Sequence, residues 1–242
     1  MPNYYYDGSF DGLLTVVYMA YGDKNNGLRV TAEKEQFTLG LDDIHIMTDF
    51  SKAGRVEKNI CEKISREFLN KMRTCFLSCD KNKDTAIVHT TYKAIKQGEE
   101  ILNFLDEHAF HMNKLIKQVL SERHKYLGVL RFKEMKDGTM FATIEPKNNV
   151  LPALISHFRN RMKRERFAIF DKEREMIAYY DTKKVEIFFV KSPEIEWSDE
   201  EMEYSELWKT FHKSISIKER ENRKLQQSNL PKYYWKHLVE DM

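Results

Sequence analysis

Glu122, Arg123, His124 and Arg131 place a carboxylate, an imidazole and two guanidinium groups within ten residues of one another. A carboxylate two positions from an imidazole can orient that ring for proton transfer. Arg131 falls in a segment with strand character, where a charge must be exposed or paired because burying it alone is costly. The same residues also read as the cationic end of a helix followed by a salt bridge. His157 and Arg161 are four apart, the spacing of neighbours on a helix face, so both can address one phosphate or simply be solvated. In the tail, Tyr233, Tyr234 and Trp235 follow Pro231 and sit among Lys232, Lys236 and His237. Flat rings beside cations can stack on bases and neutralise phosphates; rings beside a proline can equally seal the end of a fold.

Recognised catalytic patterns are missing. The chain has no G-x-S-x-G, Walker A, Rossmann glycine fingerprint or H-E-x-x-H, so its status as an enzyme stays open. Cys75 and Cys79 are four apart on an expected helix, but Cys61 is too distant to complete a cluster motif. His108 and His111 can share a helical face, with no third ligand nearby. No metal or cofactor is expected.

Charge is separated along the chain beneath a formal net charge of only +2. Residues 194–206 carry seven acids and no base, whereas 156–166 carry five bases against Glu165 and 213–242 carry seven bases against four acids. Local patches matter more than the total when the partner is a polyanion, although charge runs are often plain solvated faces. The hydrophobic fraction of 41% and aromatic fraction of 12% are too high for a disordered chain. Three cysteines form no paired framework, the start lacks the pattern of a signal peptide, and no apolar run approaches a membrane span. A cytoplasmic protein is the expectation.

These residues need elements to hold them. Tyr4 to Tyr6 read as a short strand, and Ser9 as the N-cap of a helix from about Phe10 to Tyr21, ended by Gly22. Residues 23–36 read as a loop and Ile44 to Met47 as a strand. Asp49 or Ser51 opens a long helix whose stripe is Val56, Ile60, Ile64, Phe68 and Met72. Two or three helices follow to about Arg123, with breaks near Asp80 to Asp84, Gly98 and His108. From His124 the pattern changes. Residues 126–135 have strand character, Asp137-Gly138 is a hairpin turn, and Met140 to Ile144 is the returning strand. A helix with Leu151, Leu154, Ile155, Phe158 and Met162 on one face precedes a second hairpin, Phe167 to Phe170 with Met176 to Tyr180, and a further strand at Val185 to Val190. The acidic stretch after Pro193 reads as a connector, with terminal helices from Glu206 onward. Residues 218–228 have Leu225 as their only apolar side chain, so that helix is solvated, bridging or bound to something polar.

The fold expectation is α+β: a mostly helical N-terminal half, an antiparallel sheet from two hairpins with an intervening helix, and a helical C-terminal tail. The expected organisation is one α+β domain over 1–192, with a helical half at 1–123 and a hairpin-helix-hairpin half at 124–192. Residues 193–242 would form an acidic connector and a tail packing on it.

An ordered set of motifs resembles a known family. They are Y-x-Y-D-G-S-F-D-G-L-L (Tyr4 to Leu14), T-D-x-x-K-A-x-R-V (Thr48 to Val56), E-R-H-K-x-x-G-x-x-R-F (Glu122 to Phe132) and H-F-x-x-R-M (His157 to Met162). Asp171 and Arg174 in D-x-x-R, L-W-K-x-F at Leu207 to Phe211, I-x-x-R-x-N-x-x-x-Q from Ile217 and P-x-x-x-W ending at Trp235 complete it. The set resembles a bacterial family of DNA metabolism or repair proteins of unknown function. The genes of that family commonly neighbour a radical-SAM protein of DNA modification, and some members are fused to a uracil-DNA-glycosylase-like domain. The resemblance implies a DNA-related role without a reaction or catalytic residues. Neither the glycosylase motifs nor the C-x-x-x-C-x-x-C of a radical-SAM enzyme occurs here.

Three readings follow. The first is a DNA-binding accessory working with a radical-SAM or glycosylase-like partner. His157, Arg159, Arg161, Lys163, Arg164 and Arg174 would meet phosphates. Arg220, Asn222 and Gln226 would make polar contacts, and Tyr234 and Trp235 would stack or anchor. The second is an enzyme acting on damaged or modified DNA through Glu122, His124 and Arg131. The third is a protein-interaction adaptor that uses the acidic segment and aromatic tail without touching DNA.

Overall fold

The computed structural model describes residues 1–24, 27–32, 43–103, 105–215 and 222–237. They form two compact units, Met1–Leu120 and Ser121–Met242, with the α+β composition expected.

In the first unit, β1 (Asn3–Tyr6) is the centre of a three-stranded sheet, flanked in parallel by β2 (Arg29–Ala32) and β3 (Asp43–Ile46). Tyr4 and Tyr6 point into the core from one face of β1, as the two-residue period of a strand requires. Strand β2 lies in the stretch read as a loop; Val30 supplies its one fully buried side chain, too weak an alternation to find in the sequence. α1 (Phe10–Met19) starts at Ser9, whose Oγ accepts the Gly12 amide at 2.9 Å. A 3-10 turn over Ala20–Asp23 then replaces its expected last turn.

The single long helix expected after Asp49 is two helices, α2 (Phe50–Lys63) and α3 (Arg66–Phe76). Ser65 takes an extended conformation and its hydroxyl accepts the Phe68 amide at 2.9 Å. A serine side chain offering the backbone an alternative bond is enough to end one helix and cap the next. Val56 and Ile60 from α2 still meet Phe68 and Met72 from α3 in one core, with Leu13, Leu14 and Ile87. α4 (Lys83–Gln97) and the start of α5 (Glu107–Val129) complete this unit.

Two motifs at the amino end lock together here. The Asp7 carboxylate accepts the Ser9 hydroxyl at 2.7 Å and the Thr48 hydroxyl at 2.7 Å. A side chain at Gly12 would place its Cβ 2.3 Å from Asp7 Oδ1 and 2.9 Å from Thr48 Oγ1. Glycine is required there because the two turns approach so closely.

In the second unit the strand order is β4 (Lys133–Glu134), β5 (Met140–Ile144), β6 (Phe167–Asp171), β7 (Met176–Tyr180) and β8 (Val185–Phe189). The second hairpin and the intervening helix α6 (Leu151–Arg161) form as expected, and the first hairpin forms with a shortened leading strand. The helix, however, returns the chain so that β6 runs parallel to β5, which is what a crossover helix between adjacent strands produces. The sheet is therefore mixed at that one ladder.

The strand expected over 126–135 shrinks to two residues, because α5 continues to Val129. Tyr126 and Val129, three apart, are both buried, and helical burial overrides the strand preference of this β-branched and aromatic stretch. The acidic stretch is likewise partly helical. α7 (Asp199–Ile215) begins with Asp199, Glu200 and Glu201 in its first turn, where carboxylates complement the helix dipole. α8 (Arg223–Asn229) and a 3-10 turn over Lys232–His237 end the described chain.

Among the described residues no helix is long and apolar enough to cross a membrane.

Candidate nucleic-acid interface

The proposed acid–base pair does not form. Glu122 and His124 both lie on α5, and residues two apart on a helix point to different sides. Glu122 is 7% exposed, whereas His124 is exposed to solvent. One Glu122 oxygen accepts the Lys147 amide at 2.8 Å; the other accepts the Asn148 amide at 2.9 Å and the Asn148 side chain at 2.7 Å. A carboxylate that receives backbone amides in this way pins a loop. Arg131 follows the helix instead of lying in a strand, and its guanidinium donates to the Gly128 carbonyl at 3.0 Å. It thereby satisfies an end carbonyl of α5.

The same loop, residues 145–149, is held from further directions. The Glu145 amide donates to the Tyr126 hydroxyl at 3.2 Å, and the Tyr233 hydroxyl donates to the Glu145 carbonyl. Arg174 donates to the Pro146 carbonyl at 3.1 Å, to the Lys147 carbonyl, and to Asp171 Oδ2 at 3.0 Å. Arg174, one of the residues expected at a phosphate, thus clamps this loop within the fold. Asp171 is fully buried, and burial raises its carboxyl pKa despite the pull of Arg174.

Tyr234 is also structural. It is 6% exposed and meets Tyr126 edge to face at 5.1 Å; burial, with Glu122 nearby, pushes its hydroxyl up to about 12. Trp235 is only half-buried, and its indole N–H donates to the Leu230 carbonyl at 2.8 Å. The tail does fold back, with Tyr234 as its deeply buried ring.

Arg159, Arg161, Lys163 and Arg164 are different. All are exposed, the first two in the last turn of α6 and the others in the turn beyond it. Among the described residues none of them has a carboxylate within ion-pair distance, whereas neighbouring Arg166 donates to the Asp137 carbonyl. His157 lies half-buried on the same helix, edge-on to Phe158 at 5.2 Å. Asn222 caps α8 through the Leu225 amide at 3.0 Å, and Gln226 is half-buried in that helix. Arg220 lies outside the described residues.

The other sequence candidates disperse. α3 ends at Phe76, so Cys75 and Cys79 do not share a helix; Cys75 is buried, which pushes its thiol up to about 12, and Cys79 is exposed. His108 stacks on His89 with centroids 4.2 Å apart, while His111 meets Asp80 at 3.1 Å. No group of three or more potential metal ligands occurs among the described residues.

The L-W-K-x-F motif at Leu207 to Phe211 belongs to an apolar stripe that the sequence reading did not single out. Tyr204, Leu207, Trp208, Phe211 and Ile215 are all exposed on α7. Their spacing of three, one, three and four is the signal that identifies one helical face.

Compared with known proteins, residues 81–240 match the model of a family described as a domain of unknown function, DUF4130. No curated protein and no solved structure matches the chain.

Proposed function

The chain belongs to the DUF4130 family, and on that premise we propose that it is a nucleic-acid-binding accessory protein of DNA metabolism. The supporting observation is the exposed group Arg159, Arg161, Lys163 and Arg164, which has no internal counter-ion among the described residues. Cations in the last turn of a helix gain from its dipole, which accounts for Arg159 and Arg161. Lys163 and Arg164 lie past the helix end, where that gain fades, and a polyanion gives all four a common role. Contacts of this kind fix position on a backbone without reading sequence. A radical-SAM or glycosylase-like partner would then supply the chemistry, with this chain holding the partner on DNA.

The test is an anisotropy titration of duplex and single-stranded DNA at several salt concentrations, comparing the native chain with Arg159→Glu/Lys163→Glu/Arg164→Glu. Three lost phosphate contacts should reduce the slope of log affinity against log salt by about 2–3. An unchanged slope in a folded variant overturns the proposal.

The exposed apolar stripe of α7 favours a second reading, a protein-interaction adaptor. A helix with an unburied apolar face gains little from its own packing, and exposed apolar patches mark interaction sites. DNA binding that is absent at low salt, with α7 needed for partner capture, would select this reading over the first.

A further inference from the structure

A cleft of about 620 Å³ opens in the first unit beside the carboxyl-terminal half of α4. Its proposed use does not rest on the DNA-binding reading. Its volume falls within the range of small-molecule sites. His89, Lys93 and Lys96 line it from one side of α4, at the four- and seven-residue spacings that bring side chains to a common helical face.

The polar groups are unequally committed. His89 is 8% exposed, and its Nε2 is fixed 3.0 Å from the Leu28 carbonyl while its ring stacks on His108. Lys93 pairs with Asp106, which also accepts the Ala109 amide at 3.1 Å. Lys24 lies over the Tyr21 ring at 3.5 Å, and neither it nor Lys96 has a carboxylate partner among the described residues. Of the charges lining the cleft, three lysines face one aspartate. Apolar surface comes from Ile101, which is buried, and Leu105, which is fully exposed.

We propose that this cleft binds a phosphate monoester or diphosphate attached to a small organic group. Lys24 and Lys96 are the phosphate ligands and the Ile101–Leu105 side is the wall for the attached group. A concave site with excess positive charge concentrates anions, and an apolar wall beside it selects those carrying a nonpolar moiety. Two sources present this chemistry: a free mononucleotide, or the 5′-phosphorylated end of a DNA strand.

Isothermal titration of the full chain with inorganic pyrophosphate, deoxyadenosine monophosphate, and a tetranucleotide with a 5′-phosphate or 5′-hydroxyl tests it. Lys24→Ala/Lys96→Ala should weaken binding at least tenfold, and Lys24→Arg/Lys96→Arg should retain most of it. Thermal melting of each variant establishes that it is folded. Tighter binding of the 5′-phosphorylated tetranucleotide than of the mononucleotide assigns the site to DNA ends; the reverse assigns it to free nucleotides. Either order supports the site. No binding of any probe by the native chain, or equal binding by the alanine variant, overturns it.

Discussion

Tyr126 on α5 and Tyr234 in the terminal 3-10 turn meet edge to face, their ring centroids 5.1 Å apart at 73°. This contact makes Tyr234 the buried ring of the tail. Tyr234→Ala should therefore cost about 3–5 kcal/mol, as truncation of a buried aromatic does. Trp235→Ala should cost less, because Trp235 keeps part of its surface in water. Chemical denaturation of the two variants checks the order, and a larger loss for Trp235→Ala would contradict it.

Glu122 accepts three hydrogen bonds from Lys147 and Asn148. Glutamine keeps one acceptor oxygen and turns the other position into a donor facing donors. Glu122→Gln should lower stability by about 1–3 kcal/mol through an unmade buried bond. His124→Ala should leave stability within about 0.5 kcal/mol, being an exposed substitution. Equal effects from the two variants would restore the idea that they act as a pair.

Arg174 and the cations after α6 should separate cleanly in a salt titration. Arg174→Lys keeps the charge but loses the planar fork that reaches Asp171, Pro146 and Lys147. It should reduce the melting temperature and leave the salt slope of DNA binding unchanged. A changed slope with native stability would place Arg174 on the DNA.

Asp84 in α4 is 3% exposed, and burial pushes its carboxyl up to about 6 against the opposing pull of Lys83 and Tyr6. A raised carboxyl pKa means that the folded state binds the proton more tightly. Its contribution to stability is full below the ordinary value of 3.8 and is lost as pH rises through about 6. Ionising the group at neutral pH then costs about 3 kcal/mol. Asp84→Asn should consequently gain stability relative to the native chain between pH 4 and pH 7, read as the difference between their melting curves. A pH-independent difference would show that Asp84 does not titrate in this window.

Gly12→Ala tests the close approach of the first two turns. Its Cβ would crowd Asp7 Oδ1 and Thr48 Oγ1, and overpacking of this kind typically costs about 1–3 kcal/mol. Adding Asp7→Ala should recover part of the loss. Unfolding curves of the single and double variants measure the coupling, and strict additivity would refute the contact as its cause.

The α+β class was legible in the sequence because it rests on local signals. Ser9 and Asp49 cap their helices where the residue types place them, Asp137-Gly138 turns the first hairpin, and the apolar period of α6 buries Leu151, Leu154, Ile155 and Phe158. Elements that depend on distant partners were not legible. Ser65 divides α2 from α3, β2 exists by pairing with β1, and β6 lies parallel to β5 because of where the crossover returns. The candidate site follows the same division. Composition alone located the cations at 159–164, since charge density needs no partner to be seen. The roles of Glu122, Arg174 and Tyr234 were decided by tertiary structure alone. A carboxylate, a guanidinium or a ring has the same chemistry at a catalytic centre and in a loop clamp, and only the groups that the fold brings to it select between them.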